Sequence, residues 1–166
     1  MSARFIPVEP FDLVVFGGTG DLAMRKILPG LYHRDQDGQI PAEARIIGAA
    51  RGELDRKAYV DLVAEAVHRF VPAEAIEPAR LEGFLRRLEY VRIDVSADAG
   101  WSSLAKLLRK APERVRVFYL ATAPDLFGPA CRRLQAAGVV SERARGRKDK
   151  PISHSHASET RIHAAG

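Results

Sequence analysis

A single cysteine, Cys131, stands in the 166 residues. No disulfide can form within the chain, no metal-ligand spacing surrounds that residue, and no metal site is expected. No stretch approaches the roughly 18 consecutive apolar residues of a membrane span. The opening MSARFIPVEPFD has one arginine, with neither the apolar run nor the small-residue ending of a secretion signal. A cytoplasmic chain without a membrane partner is therefore expected. Aromatic residues make up 7%, and none interrupts the one dense basic cluster, RARGRKDK at 143–150. That absence removes the aromatic–basic interleaving of a single-strand groove. The net charge of +5 otherwise comes from arginines scattered over helical faces, such as Arg86-Arg87 and Arg132-Arg133. A solvated surface or an anionic small molecule accounts for it better than nucleic acid does.

What is present suits one globular domain of ordinary size, with 46% apolar and 28% charged residues. FDLVVF, residues 11–16, reads as a buried strand closed by glycine. From Asp21 to about Asp35 the pattern is helical, with Leu22, Ile27, Leu28 and Leu31 on an inner face. Pro29 deletes one backbone hydrogen bond there, which predicts a kink or an early stop. ARIIGAAR at 44–51 is a second strand, weakened by Gly48. Tyr59, Leu62, Val63, Ala66, Val67 and Phe70 recur at helical steps until Pro72, and Leu81, Phe84, Leu85 and Leu88 repeat the pattern. EYVRIDV at 89–95 is a third strand, and Trp101 to Leu108 a further helix. RVRVFYLATAP at 114–124 is a fourth strand, followed by a helix that stops at Gly138. Strands alternating with helices imply an open α/β sheet with parallel strands and crossover helices. After about residue 140 the alternation fails, because ARGRKDKP is no buried strand.

The sequence VVFGGTGDLAMRK at 14–26 carries the chemistry. Gly18-Thr19-Gly20-Asp21-Leu22-Ala23 fits G-x-G-x-x-[G/A] between a strand and a helix, the context that gives that pattern its meaning. Gly17 and Gly18 permit a tight turn with positive φ. Gly20 lets a pyrophosphate approach the backbone, and Ala23 lets the helix pack on the strand. The free amides and positive dipole end of the helix, opening at Asp21 and Leu22, then face the phosphates. A plain strand-to-helix turn needing glycine is the alternative. Cofactors of the NAD type are usually met by an Asp or Glu after the second strand. Here Glu43 precedes that strand and Arg51 ends it. A guanidinium suits a 2′-phosphate, so NADP is expected over NAD, with Thr19 offering a hydroxyl to the same group. A surface loop arginine is the plainer reading of Arg51.

These residues carry a resemblance. GGTGDLAMRKILPGLY resembles the N-terminal segment of glucose-6-phosphate dehydrogenases, G-x-[ST]-G-D-L-A-x-[KR]-K-[IL]-x-P, including Asp21, Lys26 and Pro29. Similarity continues through GAAR at 48–51, YVRIDV at 90–95 and FYLATAP at 118–124, from about Phe11 to Gly138. The resemblance implies a Rossmann-like, doubly wound, mostly parallel sheet and hydride transfer from C1 of glucose 6-phosphate to NADP. It puts Gly17, Thr19 and Gly20 at the cofactor phosphates and Arg51 at the 2′-phosphate. Ala123 and Pro124 would border the cofactor, and Lys26 would point toward the substrate.

The chain departs from the family pattern at two places. The family's E-K-P-[IL]-G-x-D strand is met by Asp149-Lys150-Pro151-Ile152-Ser153-His154-Ser155. Lys150, a substrate-binding candidate, keeps its place. Upstream, however, stand Gly146, Arg147 and Lys148, and burying two unpaired cations costs on the order of several kcal/mol. The family's R-I-D-H-Y motif, with its catalytic histidine, occurs nowhere in the 166 residues. His154, His156 and His163 fall in a tail expected to be solvated. The expectation is an arm at 1–10, a dinucleotide-binding domain at 11–142 whose sheet is incomplete at its C-terminal end, and a basic, poorly ordered tail at 143–166. Such a truncated chain would bind NADP and be inactive alone, meeting glucose 6-phosphate only with the second domain supplied. A non-catalytic nucleotide- or partner-binding fragment is the alternative. An apolar face left bare would then favour self-association.

Overall fold

The computed structural model describes residues 8–140 and, by backbone alone, 162–164. Five parallel strands form one sheet: β1 (Phe11–Phe16), β2 (Arg45–Ala50), β3 (Leu88–Arg92), β4 (Val115–Leu120) and β5 (Ile162–Ala164), in the order β3-β2-β1-β4-β5. Between β1 and β2 a π-helical segment, Ala23–Ile27, runs into α1 (Leu28–Gln36). Helices α2 (Arg56–Phe70) and α3 (Pro78–Arg86) join β2 to β3, α4 (Trp101–Arg109) joins β3 to β4, and α5 (Phe127–Ala136) follows β4.

Strand alternation sorts the side chains into two layers. On one face Val14, Phe16, Ile47, Ala49, Phe118 and Leu120 pack beneath Trp101, Leu104 and Leu108 of α4 and Ala130 and Leu134 of α5. On the other, Leu13 and Val15 meet Ala23, while Ile46 and Leu88 meet Leu28, Tyr32, Tyr59, Val63, Val67 and Phe84. Both faces being covered explains the continuous apolar runs of β1 and β2. The sheet is thus the doubly wound, Rossmann-like arrangement, and the strand order reverses between β1 and β4.

The helix after the glycines does not stop at Pro29. Its turn opens into π geometry just upstream, where the Leu28 amide donates to the Ala23 carbonyl, and the helix then continues to Gln36. In α geometry the proline ring would press on the carbonyl four residues back, and the widened turn relieves that contact. The buried face accordingly advances by a step of five, from Ala23 to Leu28, before reaching Tyr32, while Leu22, Ile27 and Leu31 are half-buried. Helix α2 begins at Arg56 because the Asp55 carboxylate accepts from the Ala58 amide at 2.7 Å. Leu62, assigned to its inner stripe, is exposed, and Leu88, assigned to the preceding helix, opens β3. Ile93 and Val95 lie beyond β3, although both are buried. Val8 and Leu62 are the large apolar side chains exposed among the described residues. Of the tail at 143–166, the description covers β5, which extends the sheet beside β4.

Two buried charges hold the sheet. Asp12, fully buried, accepts from Arg45 Nε at 2.8 Å and Nη2 at 2.6 Å, and from Arg114 Nη1 at 3.2 Å. That bonding raises the Arg45 guanidinium above its ordinary value. Arg116 donates to the Leu108 carbonyl at 3.2 Å and the Val139 carbonyl at 2.6 Å, tying β4 to the end of α4 and to the turn after α5. Replacing Asp12→Ala leaves two guanidiniums facing each other across β1. Their partial access to water moderates the cost, and the expected loss is about 2–3 kcal/mol in urea unfolding at unchanged m-value.

Candidate nucleotide-binding site

The C-terminal ends of β1, β2 and β4 carry the residues singled out from the sequence. Strands β1 and β2 run in register to Phe16 opposite Ala49, and β4 runs level with them to Leu120 opposite Phe16. The loops that follow therefore emerge side by side: 17–20 after β1, Arg51 after β2, Ala123 and Pro124 after β4. The loops after β1 and β4 lead to helices on opposite faces, which opens a crevice where the strand order reverses.

The glycine loop is built by backbone contacts. Gly17 has φ +76°, and a Cβ on it would meet the Ala121 carbonyl oxygen at 2.3 Å. Gly18 does not share that conformation. It is needed for proximity instead, since a Cβ there would lie 2.9 Å from Gly48 Cα. The amides of Gly17 and Gly18 donate to the Ala49 carbonyl at 2.9 and 3.2 Å, and the Gly20 amide donates to the Gly17 carbonyl at 2.9 Å. Those three donors are occupied within the fold. The amides left for an anion are then that of Thr19, for which no backbone bond is found among the described residues, and those of the first helical turn, Asp21, Leu22 and Ala23. Gly20 is exposed above them, and Ala23 is buried against Leu13 and Val15. The Asp21 carboxylate lies on the surface, where it accepts from Arg25 Nη2 at 3.2 Å. Lys26 is exposed on the π-helical segment. Lys150 lies outside the described residues, as do His154 and His156.

Arg51 is exposed immediately beyond β2, and its guanidinium has no hydrogen bond or ion pair among the described residues. It acts through space on Asp94. That carboxyl is held below its usual range first by the Ser96 hydroxyl and amide, at 2.6 and 2.9 Å, and then by nearby arginines. At the end of β4, Thr122 lies beside Gly17, and its buried hydroxyl has no partner among the described residues. Cys131 is half-buried, and burial pushes its thiol up, away from a reactive thiolate.

Two tyrosines beneath the loops escaped the sequence reading. Tyr59, read as helical core, is fully buried, and its hydroxyl donates to the Gly18 carbonyl at 3.1 Å. Burial pushes that phenol well above its ordinary value. Its ring occupies the space Gly48 leaves empty, because a Cβ on Gly48 would lie 2.2 Å from the ring. Tyr90, read as strand core, reaches the Gly52 carbonyl at 2.6 Å and the Ala50 carbonyl at 3.1 Å. A signal for Tyr59 was the glycine inside the strand, which marks a close approach.

The glycines separate fold from ligand clearance. Gly17→Ala adds a disfavoured positive φ to a backbone clash and is expected to cost roughly 2–4 kcal/mol. Gly20→Ala meets the Gly17 carbonyl oxygen at 3.2 Å as the nearest atom, and is expected to stay within about 1 kcal/mol of the parent in urea titration.

The model of the family described as glucose-6-phosphate dehydrogenase, NAD binding domain, matches residues 14–165. The glucose-6-phosphate 1-dehydrogenase of Gluconobacter oxydans is 50% identical over 161 residues, covering 96% of this chain and 33% of that protein. The one from Rhizobium meliloti is 41% identical over 162 residues, covering 98% of this chain and again 33% of the relative. The chain thus spans about a third of the length of these curated relatives. Among solved structures, a glucose-6-phosphate dehydrogenase in complex with its substrate glucose-6-phosphate superposes with a TM-score of 0.69 at 29% identity, over 82% of this chain and 29% of that one. The enzyme from Mycobacterium avium gives 0.67 at 27% identity, over 79% and 28%. With the glycine loop, the level strand ends and these matches together, the chain belongs to the glucose-6-phosphate dehydrogenase family, in which it corresponds to the nucleotide-binding N-terminal domain.

Proposed function

We propose that the chain binds NADP across the ends of β1, β2 and β4, as the cofactor-binding part of a glucose-6-phosphate 1-dehydrogenase. The observation that carries this reading is the unpaired, exposed guanidinium of Arg51 on the strand end next to the glycine loop. A dinucleotide pyrophosphate fits the first-turn amides at Asp21 and Leu22, with Gly20 clearing its path and Gly17, Gly18 and Thr19 shaping the loop. A 2′-phosphate fits Arg51 through charge-assisted hydrogen bonds, joined by the Thr19 hydroxyl. Ala123 and Pro124 line the far wall. NADP, when bound, supplies the hydride acceptor. The part played by this chain is to bind and orient it with fixed backbone dipoles.

Oxidising C1 of glucose 6-phosphate also needs a base for the departing hydroxyl proton. The R-I-D-H-Y motif that carries it in the family is absent from these residues. That absence favours, as a second reading, a nucleotide-binding module that is catalytic only with further protein. Lys26 and Lys150 are the substrate contacts the family pattern assigns, and they would act in that larger setting. No described helix is long and apolar enough to cross a membrane, and we place the chain in the cytoplasm.

Titration calorimetry with NADP and NAD tests the reading, with NADP expected to bind the more tightly. Arg51→Ala is expected to weaken NADP about 10- to 100-fold, the value of one or two charge-assisted hydrogen bonds, and to leave NAD nearly unchanged. Equal affinity for the two nucleotides in the parent chain would refute the 2′-phosphate assignment. A steady-state assay with glucose 6-phosphate and NADP is expected to show negligible turnover. Turnover matching a full-length dehydrogenase would refute the assignment of the base to other residues.

A further inference from the structure

The two tyrosines under the loops do more than fill the core. Strand register sets Gly48 beside Tyr90, so the Tyr90 ring shares the face that Gly48 leaves open. There it meets the ring of Tyr59, with centroids 5.0 Å apart and planes at 32°. From that contact each hydroxyl reaches a different loop: Tyr59 the Gly18 carbonyl, Tyr90 the carbonyls of Ala50 and Gly52. Arg92, two residues after Tyr90, donates from Nε to the Arg51 carbonyl at 3.1 Å and pairs with Glu53. Three successive carbonyls around Arg51 are thus held from β3, while its side chain is left exposed.

Peptide geometry turns these bonds into directions. In a trans peptide the carbonyl and the following amide point opposite ways. Holding the Gly18 carbonyl inward on Tyr59 turns the Thr19 amide outward, toward the crevice. The Ala50 carbonyl, which also accepts from the Ile93 amide at 2.8 Å, and the Gly52 carbonyl, which also accepts from the Leu54 amide at 3.1 Å, are both within reach of the Tyr90 hydroxyl, which thus ties together the two ends of the Arg51 segment.

We propose that Tyr59 and Tyr90 are positioning residues for the nucleotide: Tyr59 aims the Thr19 amide at the pyrophosphate, Tyr90 sets the Arg51 segment at the 2′-phosphate, and their ring contact holds the two subsites at one spacing. This rests on the NADP reading above. It assigns nucleotide selectivity partly to a residue that touches no nucleotide, and it links the two loops from beneath.

Tyr59→Phe and Tyr90→Phe keep both rings and remove one hydroxyl each. The 166-residue chain and both variants are titrated with NADP, NAD, ADP and adenosine 2′,5′-bisphosphate at one ionic strength, with urea unfolding confirming that each is folded. Tyr59→Phe is expected to weaken all four ligands by about three- to tenfold, the worth of one hydrogen bond. Tyr90→Phe is expected to weaken NADP and adenosine 2′,5′-bisphosphate by a similar factor while NAD and ADP stay within about twofold. Unchanged affinities in both folded variants overturn the proposal, and so does a Tyr90→Phe loss that falls equally on ligands with and without the 2′-phosphate. Amide exchange in the parent chain gives a second measurement that needs no variant. Protection at Thr19 and Arg51 should rise on adding NADP, and unchanged protection at both overturns the proposal. A parent chain that binds no nucleotide refutes the NADP reading itself, a different result from a parent that binds NADP and variants that bind it equally well.

Discussion

The backbone of Gly18 lies against the backbone of β2, with no room for a Cβ between them. The rest of the site depends on that approach. It lets Gly17 and Gly18 both donate to the Ala49 carbonyl, which fixes the loop to the strand carrying Arg51 at its tip. Together with the Gly20 bond to the Gly17 carbonyl, it occupies three of the loop's own donors and leaves the Thr19 amide and those of the following helical turn. The glycine turn and the Arg51 side chain are brought to adjacent strand ends by a contact that involves no side chain of either. The same contact needs Gly48 from the other side, and Gly48 in turn admits the Tyr59 ring. One missing side chain in β2 therefore serves the loop at its tip and the core beneath it.

The scaffold keeps these strand ends level. Parallel strands covered on both faces cannot slip without exposing a full apolar layer, because a one-residue shift reverses every side chain. The Asp12 carboxylate adds a directional constraint at the opposite end, bonding to arginines from β2 and from the turn before β4. Strands anchored at their starts and in register along their length finish together, and the crevice between β1 and β4 results from the reversal in strand order. The π-helical turn after the loop belongs to the same design. It carries Pro29 inside a helix that still buries Leu28 and Tyr32, so the helix whose first amides face the crevice stays docked on the sheet.

Much of this was legible in the chain itself. Short β-branched runs between amphipathic stretches identified four strands and the covering helices, because burial on two faces leaves a continuous apolar run and burial on one leaves a period. The glycine cluster marked the turn between β1 and the following helix, and Arg51 was marked as the residue that follows β2. Errors fell where a local pattern competes with a longer-range one. Leu88 continues a helical period, yet pairs with Ile46 in the sheet. Pro29 should break a helix, yet tertiary packing draws it through with a wider turn. Leu62 sits on the periodic stripe, yet falls just outside the face that the sheet covers.

Local chemistry thus determined which segments become strands and helices, and that a glycine turn follows β1, since those depend on side-chain periodicity and on where glycine is needed. Tertiary structure decided which glycine is there for its φ and which for proximity, that Tyr59 and Tyr90 reach the loops from below, and that Arg51 ends beside the glycine turn. Those outcomes depend on distances between segments far apart in the chain, such as Tyr59 and Gly18, 41 residues apart, which exist only once the sheet has set its strand order.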